Sequence, residues 1–345
     1  MGKNGRYNRK KIVRKLFGSL KDFGAIFFVV IFLPYMIYIC IYGIKNPVSF
    51  FTTEKKTNND TYVIVEGKIG KEKIPLEEYL IGALAASIDI QYQDEVLKAQ
   101  AVLLRTKLEY QKQKKKNGKW TNSDTQYISN ASQAYLGIYD MQQQYGKEFS
   151  STYERLKTIV NETEHIYLVS NGVPIEGAFC AVSAGSTRSG NEVFETKKYP
   201  YLQPVICEND VMDKNYCKDY YFTWDEIEKK MEEYEENADE QDTAENRTES
   251  KQQSIEITKT DSTGYAVQVQ VGNTRVPGEM FRELFRLNSS HMELEELEDE
   301  IRIRTKGIGH GFGMSQHMAQ CLAEKDYDFI EILSFFFADT EIEKE

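Results

Sequence analysis

Three stretches of this chain hold side chains with chemistry to offer. Near the C-terminus it reads GIGHGFGMSQH, Gly307 to His317, setting His310, Ser315 and Gln316 among glycines. Glycine lets backbone come close to a ligand and take positive φ. The run therefore predicts either a tight turn around a hydrogen-bonded His310 or a loop lining a cleft. It is neither a dinucleotide fingerprint nor a P-loop, because the glycine spacing is wrong and no Lys-Ser/Thr pair follows. The second stretch, FCAVSAGSTRSGNEVF from Phe179 to Phe194, carries Cys180, Ser183, Gly185 and Thr187. Its serine lacks the first glycine of a nucleophile elbow, which argues against an acyl-transfer hydrolase. Cys180 with a distant His would be a thiol nucleophile, but a disulfide partner is the simpler reading. The third stretch places Ser87 and Asp89 in a loop between two predicted helices, with Glu95 and Arg105 following. No CxxC pair and no HExxH occurs, and His310 and His317 have no companion at ligand spacing. No metal and no cofactor is expected.

The elements around these residues follow from periodicity. Thr61 to Val65 reads as a strand. Leu76 to Ala86 reads as a helix with Pro75 near its first turn. A second helix runs from an Asp94 N-cap to about Lys114, with Leu97, Ala101, Leu104 and Leu108 on one face. Asn171-Gly172 between Ile166 to Val169 and Val173 to Ala178 predicts a hairpin. Strands are expected at Ser254 to Ile257, Ala266 to Val271 and Glu300 to Arg304. Helices are expected at Pro277 to Leu287, Gln316 to Ala323 and Asp328 to Phe336. The fold class is α+β. Asp225 to Ser250 holds twelve acidic and three basic residues, and an acidic insertion at about 232–252 cannot bury enough apolar surface to order itself.

Gly24 to Ile44 contains no charged residue, long enough for a helix to cross a bilayer. Residues 1–24 carry eight Lys/Arg against one Asp, which predicts a cytoplasmic basic tail, a single transmembrane helix at 25–44 and an extracytoplasmic remainder. Residues 45–60 read as a linker and 61–342 as one domain. The formal charge is −11 overall, so the part beyond the tail is strongly acidic. That argues against nucleic acid, which needs a basic footprint. Four cysteines lie beyond the span and allow three pairings; Cys207–Cys217 is favoured as a local bridge.

The order of the stretches carries a resemblance. PLEEYLIGALAAS (Pro75 to Ser87), then EVLKAQAVLLRT (Glu95 to Thr106), resembles the N-terminal signature of the stage II sporulation protein D family. That signature runs P-L-E-E-Y-L-x-G-V-x-A-x-E-M-P, then E-A-L-K-A-Q-A-V-A-A-R-T. The second stretch is similar to the family's H-A-S-S-G-G-x-T-x-S-x-x-V-W, with Cys180 for His and Ala184 for Gly. Gly309 to Gln316 is similar to G-H-G-x-G-M-S-Q. The family's catalytic glutamate position is Ser87.

The resemblance implies a membrane-anchored domain that binds peptidoglycan glycan strands and cleaves them by lytic transglycosylation in sporulation engulfment. In such chemistry one carboxyl gives and takes the proton as a 1,6-anhydro ring closes. Serine is too weak an acid for that, and Asp89 is the nearest substitute. A catalytically inactive wall-binding scaffold and an enhancer of a partner amidase remain as alternatives, and partner wall hydrolases are implied by the family. Arg105, Ser183, Gly185, Thr187, His310, Ser315 and Gln316 are expected to line the glycan groove, Arg105 alternatively to pin the fold. Glu95 is expected to open the second helix.

Overall fold

The signature region builds a strand pair and two helices in direct succession. Strands β1 (Tyr62–Gly67) and β2 (Gly70–Pro75) pair antiparallel and lead straight into α1 (Leu76–Ser87). Helix α2 (Asp94–Lys116) follows, and β3 (Gln126–Ile128) returns to pair parallel with β1. The computed structural model describes residues 62–67, 70–116, 126–128, 134–237 and 253–344. All of them fall within one compact unit, Thr61–Glu345. The basic tail, the predicted span at 25–44 and the linker lie outside the described residues. Among the described residues no helix is long and apolar enough to cross a membrane.

The α2 helix is more deeply buried than its one-face pattern predicts. Leu97, Ala101 and Leu104 are fully buried as expected, and so are Val96, Ala99, Val102 and Leu103. The reason is that helices close on it from several sides, α1 and α4 (Phe149–Glu162) among them, with α3 (Ile138–Tyr145) packed on α1 and α4. Each buried Leu or Val contributes roughly 1.5–3 kcal/mol, so this helix anchors the lobe. The hairpin forms where predicted, with β4 (Ile166–Ser170) and β5 (Val173–Pro174) joined through Asn171 and Gly172 at φ 52° and 70°. Both left-handed residues fit a type I′ turn.

Beyond the hairpin, β6 (Phe179–Cys180) leads to the short α5 (Gly190–Val193). A second lobe then builds from β7 (Cys217–Thr223), α6 (Trp224–Asn237), β8 (Ile255–Thr260), β9 (Ala266–Val271), β10 (Thr274–Pro277), α7 (Gly278–Leu284), β11 (Met292–Glu296) and β12 (Glu300–Lys306). Its sheets run β10-β9-β8 and β11-β12-β7. They share a core of Ile227, Val269, Val276, Phe281, Ile301 and Ile303. The acidic insertion is helical as far as Asn237, and residues 238–252 lie outside the described residues. The chain then crosses back through the glycine run to β13 (Met314–Ser315), α8 (Gln316–Ala323), α9 (Phe329–Phe336) and β14 (Glu341–Lys344). Both α8 and α9 pack on α2, and β14 pairs with β4. Mixed helices and segregated strands make this an α+β fold.

Strand β13 pairs parallel with β6, so the first and second chemical stretches lie side by side. Gly313 allows it: its φ is +71°, and a Cβ there would sit 2.0 Å from the Ala178 carbonyl oxygen. Two expectations are corrected. Asp94 is the first residue of α2 rather than its cap, and its carboxylate takes the Arg155 guanidinium instead. The Cys207–Cys217 bridge is absent: Cys180, Cys207, Cys217 and Cys321 are all free. A short 3₁₀ turn, Glu208–Met212, draws Cys207 into the core, whereas Cys217 opens β7 exposed. Burial pushes the Cys207 thiol up to about 12 and raises that of Cys180 as well. Since only the accessible thiolate reacts, iodoacetamide on the folded protein is expected to label Cys217 at least about tenfold faster than either buried thiol. A disulfide-linked 207–217 peptide in the mass spectrum would contradict this.

Candidate functional site

Ser87 ends α1 against two amides. Its hydroxyl accepts from Gln100 Nε2 at 3.3 Å, and its carbonyl accepts from Gln316 Nε2 at 2.8 Å. Gln316 also donates to Gln100 Oε1 at 3.2 Å. The end of α1, the inner face of α2 and the start of α8 therefore meet at the position the signature singles out. The loop that follows is clamped from the side. Arg155 on α4 donates to the Ile90 and Tyr92 carbonyls and to the Asp94 carboxylate. From the other side, the Gln93 amide donates to Gln320 Oε1 on α8 at 2.9 Å. Arg155 carried no signal in the sequence, because only the fold brings α4 beside the loop.

Asp89 does not enter this network. It is exposed, and its carboxylate accepts the Gln91 amide at 2.9 Å in a local turn. A general acid at neutral pH needs a desolvated carboxyl, and nothing here supplies one to Asp89. Glu95 does open α2, binding Lys98 while its other oxygen accepts the Phe329 amide at the start of α9.

Several residues expected to line the groove prove to be buried struts. Arg105 forms a bidentate pair with Glu77 at 2.6 and 2.7 Å and pins α2 to α1. Ser183, Thr187 and Ser315 are fully buried. Thr187 is tied to the backbone of Gln203 and Val205. Gly185 sits at φ +100° and its carbonyl accepts the Cys207 amide. Gln316, 5% exposed, reaches Ser87 rather than solvent.

A buried carboxylate that the sequence did not flag organises these struts. Asp210, in the 3₁₀ turn, is fully buried. It accepts the Ser183 amide at 2.8 Å, the Ser315 hydroxyl at 2.7 Å and lies 3.3 Å from His317 Nδ1. A buried carboxylate requires such donors. The phenol of Tyr92 faces this region: burial and the nearby carboxylates of Asp89, Asp213 and Asp210 push it up to about 12.

His310 lies at the far end of the glycine run. Its Nδ1 accepts the Phe312 amide at 3.0 Å. Burial brings its pKa down to about 4, so the ring is neutral at physiological pH. That matches the reading of a hydrogen-bonded His in a tight turn. Beside it lies a second hub missed by the sequence reading. Arg188, 1% exposed, binds Asp261 and Glu279 at 2.6 Å each and the His310 carbonyl at 3.1 Å. Its guanidinium carbon lies 4.8 Å from the Tyr265 ring centroid and 4.6 Å from that of Phe312.

A family model described as stage II sporulation protein matches residues 67–169, the segment that holds α1, Ser87 and α2. The chain is 29% identical over 276 residues to stage II sporulation protein D of Bacillus subtilis, covering 79% of this chain and 75% of that protein. The chain is therefore similar to stage II sporulation protein D over most of its length. Its counterpart in Bacillus amyloliquefaciens is 27% identical over 277 residues, with 79% and 75% coverage. An uncharacterised protein of Brachyspira hyodysenteriae is 27% identical over 292 residues, covering 82% of this chain and 69% of that one. At residue 87 this chain carries a hydroxyl, flanked by Gln100 and Gln316. Among the described residues no group of His, Cys, Asp and Glu is placed to hold a metal ion.

Proposed function

We propose that this chain is a sporulation cell-wall protein that binds peptide-free glycan strands of peptidoglycan, on the surface formed by the Ser87–Gln93 loop and the start of α8. Similarity to the Bacillus proteins supports the setting, since they carry sporulation in their names. The observation that carries the reading is the braced end of α1. Ser87, Gln100 and Gln316 hold it from within, and Arg155 and Gln320 hold the loop beyond it. A rigid loop on a packed scaffold suits recognition. A neutral polysaccharide is compatible with an acidic protein, because stacking and hydrogen bonds replace charge pairing. The apolar segment at 25–44 would hold this domain at the outer face of the membrane.

A glycan-binding scaffold without turnover is the second reading, favoured by the hydroxyl at residue 87. The full chain mixed with glycan strands stripped of stem peptides is expected to bind them saturably. Absence of saturable binding, with an active family enzyme binding in parallel, would rule out the carbohydrate reading.

A further inference from the structure

On the helix whose first residue bonds the Ser87 carbonyl stands a histidine paired to a buried carboxylate, at a position where the family signature specifies no residue. His317 follows Gln316 on α8, and Gln316 itself touches the Ser87 carbonyl. One turn on, Gln320 accepts the Gln93 amide, so the 316–320 edge of α8 borders the Ser87–Gln93 loop. The His317 Nδ1 lies 3.3 Å from Asp210 Oδ1, and its amide donates to the Ala181 carbonyl at 3.0 Å. Its side chain is 19% exposed, and its Nε2 has no hydrogen-bond partner among the described residues. Asp210 is itself fixed by the Ser183 amide and the Ser315 hydroxyl. A carboxylate on one ring nitrogen sets the tautomer and leaves the other nitrogen to exchange protons.

We propose that His317, oriented by Asp210, is the proton carrier that replaces the missing glutamate, so that the protein cleaves the strands it binds. This rests on the glycan-binding reading above. In the step, His317 Nε2–H gives its proton to the glycosidic oxygen. The bond from C1 of N-acetylmuramic acid breaks with its electron pair passing to that oxygen, which leaves as the 4-hydroxyl of N-acetylglucosamine. The neutral ring then takes the proton of the muramyl 6-hydroxyl as O6 bonds to C1. A 1,6-anhydro end forms, the imidazolium is restored and no water is consumed. A histidine can run both halves because a single group must be an acid and then a base. Asp210 acts as a positioning residue.

The test follows 1,6-anhydro ends by mass spectrometry, using the full chain and peptide-free strands. The unaltered chain is expected to release them. His317→Ala is expected to lower the rate on the order of 10²-fold, and added imidazole is expected to restore at least about tenfold of that loss, which a structural role would not permit. Asp210→Asn should lower kcat with KM little changed and without imidazole rescue. Thermal melts of each variant separate lost chemistry from lost folding, with His317→Gln as a polar, non-titrating control. Strands bound but no anhydro ends from the unaltered chain would overturn the inference and leave the binding reading standing. Anhydro ends at an unchanged rate from folded His317→Ala would overturn it as well. No binding by the unaltered chain would overturn both.

Discussion

Arg188→Met is expected to destabilise the folded unit by about 3–5 kcal/mol, the loss seen when one member of a buried ion pair is removed. The guanidinium and the Asp261 carboxylate are each 1% exposed, so neither has water to fall back on. Met would fill much of the apolar space between Tyr265 and Phe312, isolating the loss of charge from the loss of volume. Asp261 would keep the Thr263 and Tyr265 amides but would lose its counter-charge. The His310 carbonyl and the Ser290–Glu279 pair would lose the donor that joins the second lobe to the glycine run. For a domain of this size the melting temperature should fall by about 6–20 °C. Adding Asp261→Asn should recover a large part of the loss, because removing a buried pair costs less than breaking it. A drop under about 1 kcal/mol would show that Arg188 does not hold the lobes together.

Ser87→Glu is the second large effect, and it is read best in a His317→Ala background. With the histidine gone, a carboxyl at residue 87 is expected to raise 1,6-anhydro release on the order of 10²-fold. The geometry favours this because α1 and its loop are already braced by Gln100, Gln316 and Arg155. The new side chain therefore starts from a fixed backbone. Two influences act on the new carboxyl. Partial burial at the end of α1 favours the protonated form, whereas the neighbouring Gln100 and Gln316 amides favour the charged one. The first must prevail for an acid to work at neutral pH. A folded Ser87→Glu, His317→Ala protein that binds strands but releases no anhydro ends would mean that residue 87 no longer points to the scissile bond. With His317 present, the gain should be smaller, because one proton carrier is already there.

The α+β class and many of the helices and strands were legible in the sequence, because they depend on local pattern. The 3.6-residue spacing of Leu97, Ala101, Leu104 and Leu108 marked α2, and Asn171-Gly172 marked a turn that few other residues can make. The signature also located the end of α1. What the sequence could not determine was which polar residues would face inward. Ser183, Thr187 and Ser315 read as groove residues, but the fold buries them because the parallel β6–β13 contact places them around Asp210. Asp210, Arg155 and Arg188 had no motif, since each is defined by partners far away in the chain: Ser315 for the first, Tyr92 for the second, Asp261 and Glu279 for the third. The disulfide expectation failed for the same reason. Ten residues of separation let Cys207 and Cys217 approach, but the 3₁₀ turn sends one inward and leaves the other exposed. Local pattern fixes elements because backbone preferences act over a few residues. Burial, charge pairing and the pairing of His317 with Asp210 are decided by contacts between elements, which only the tertiary structure brings about.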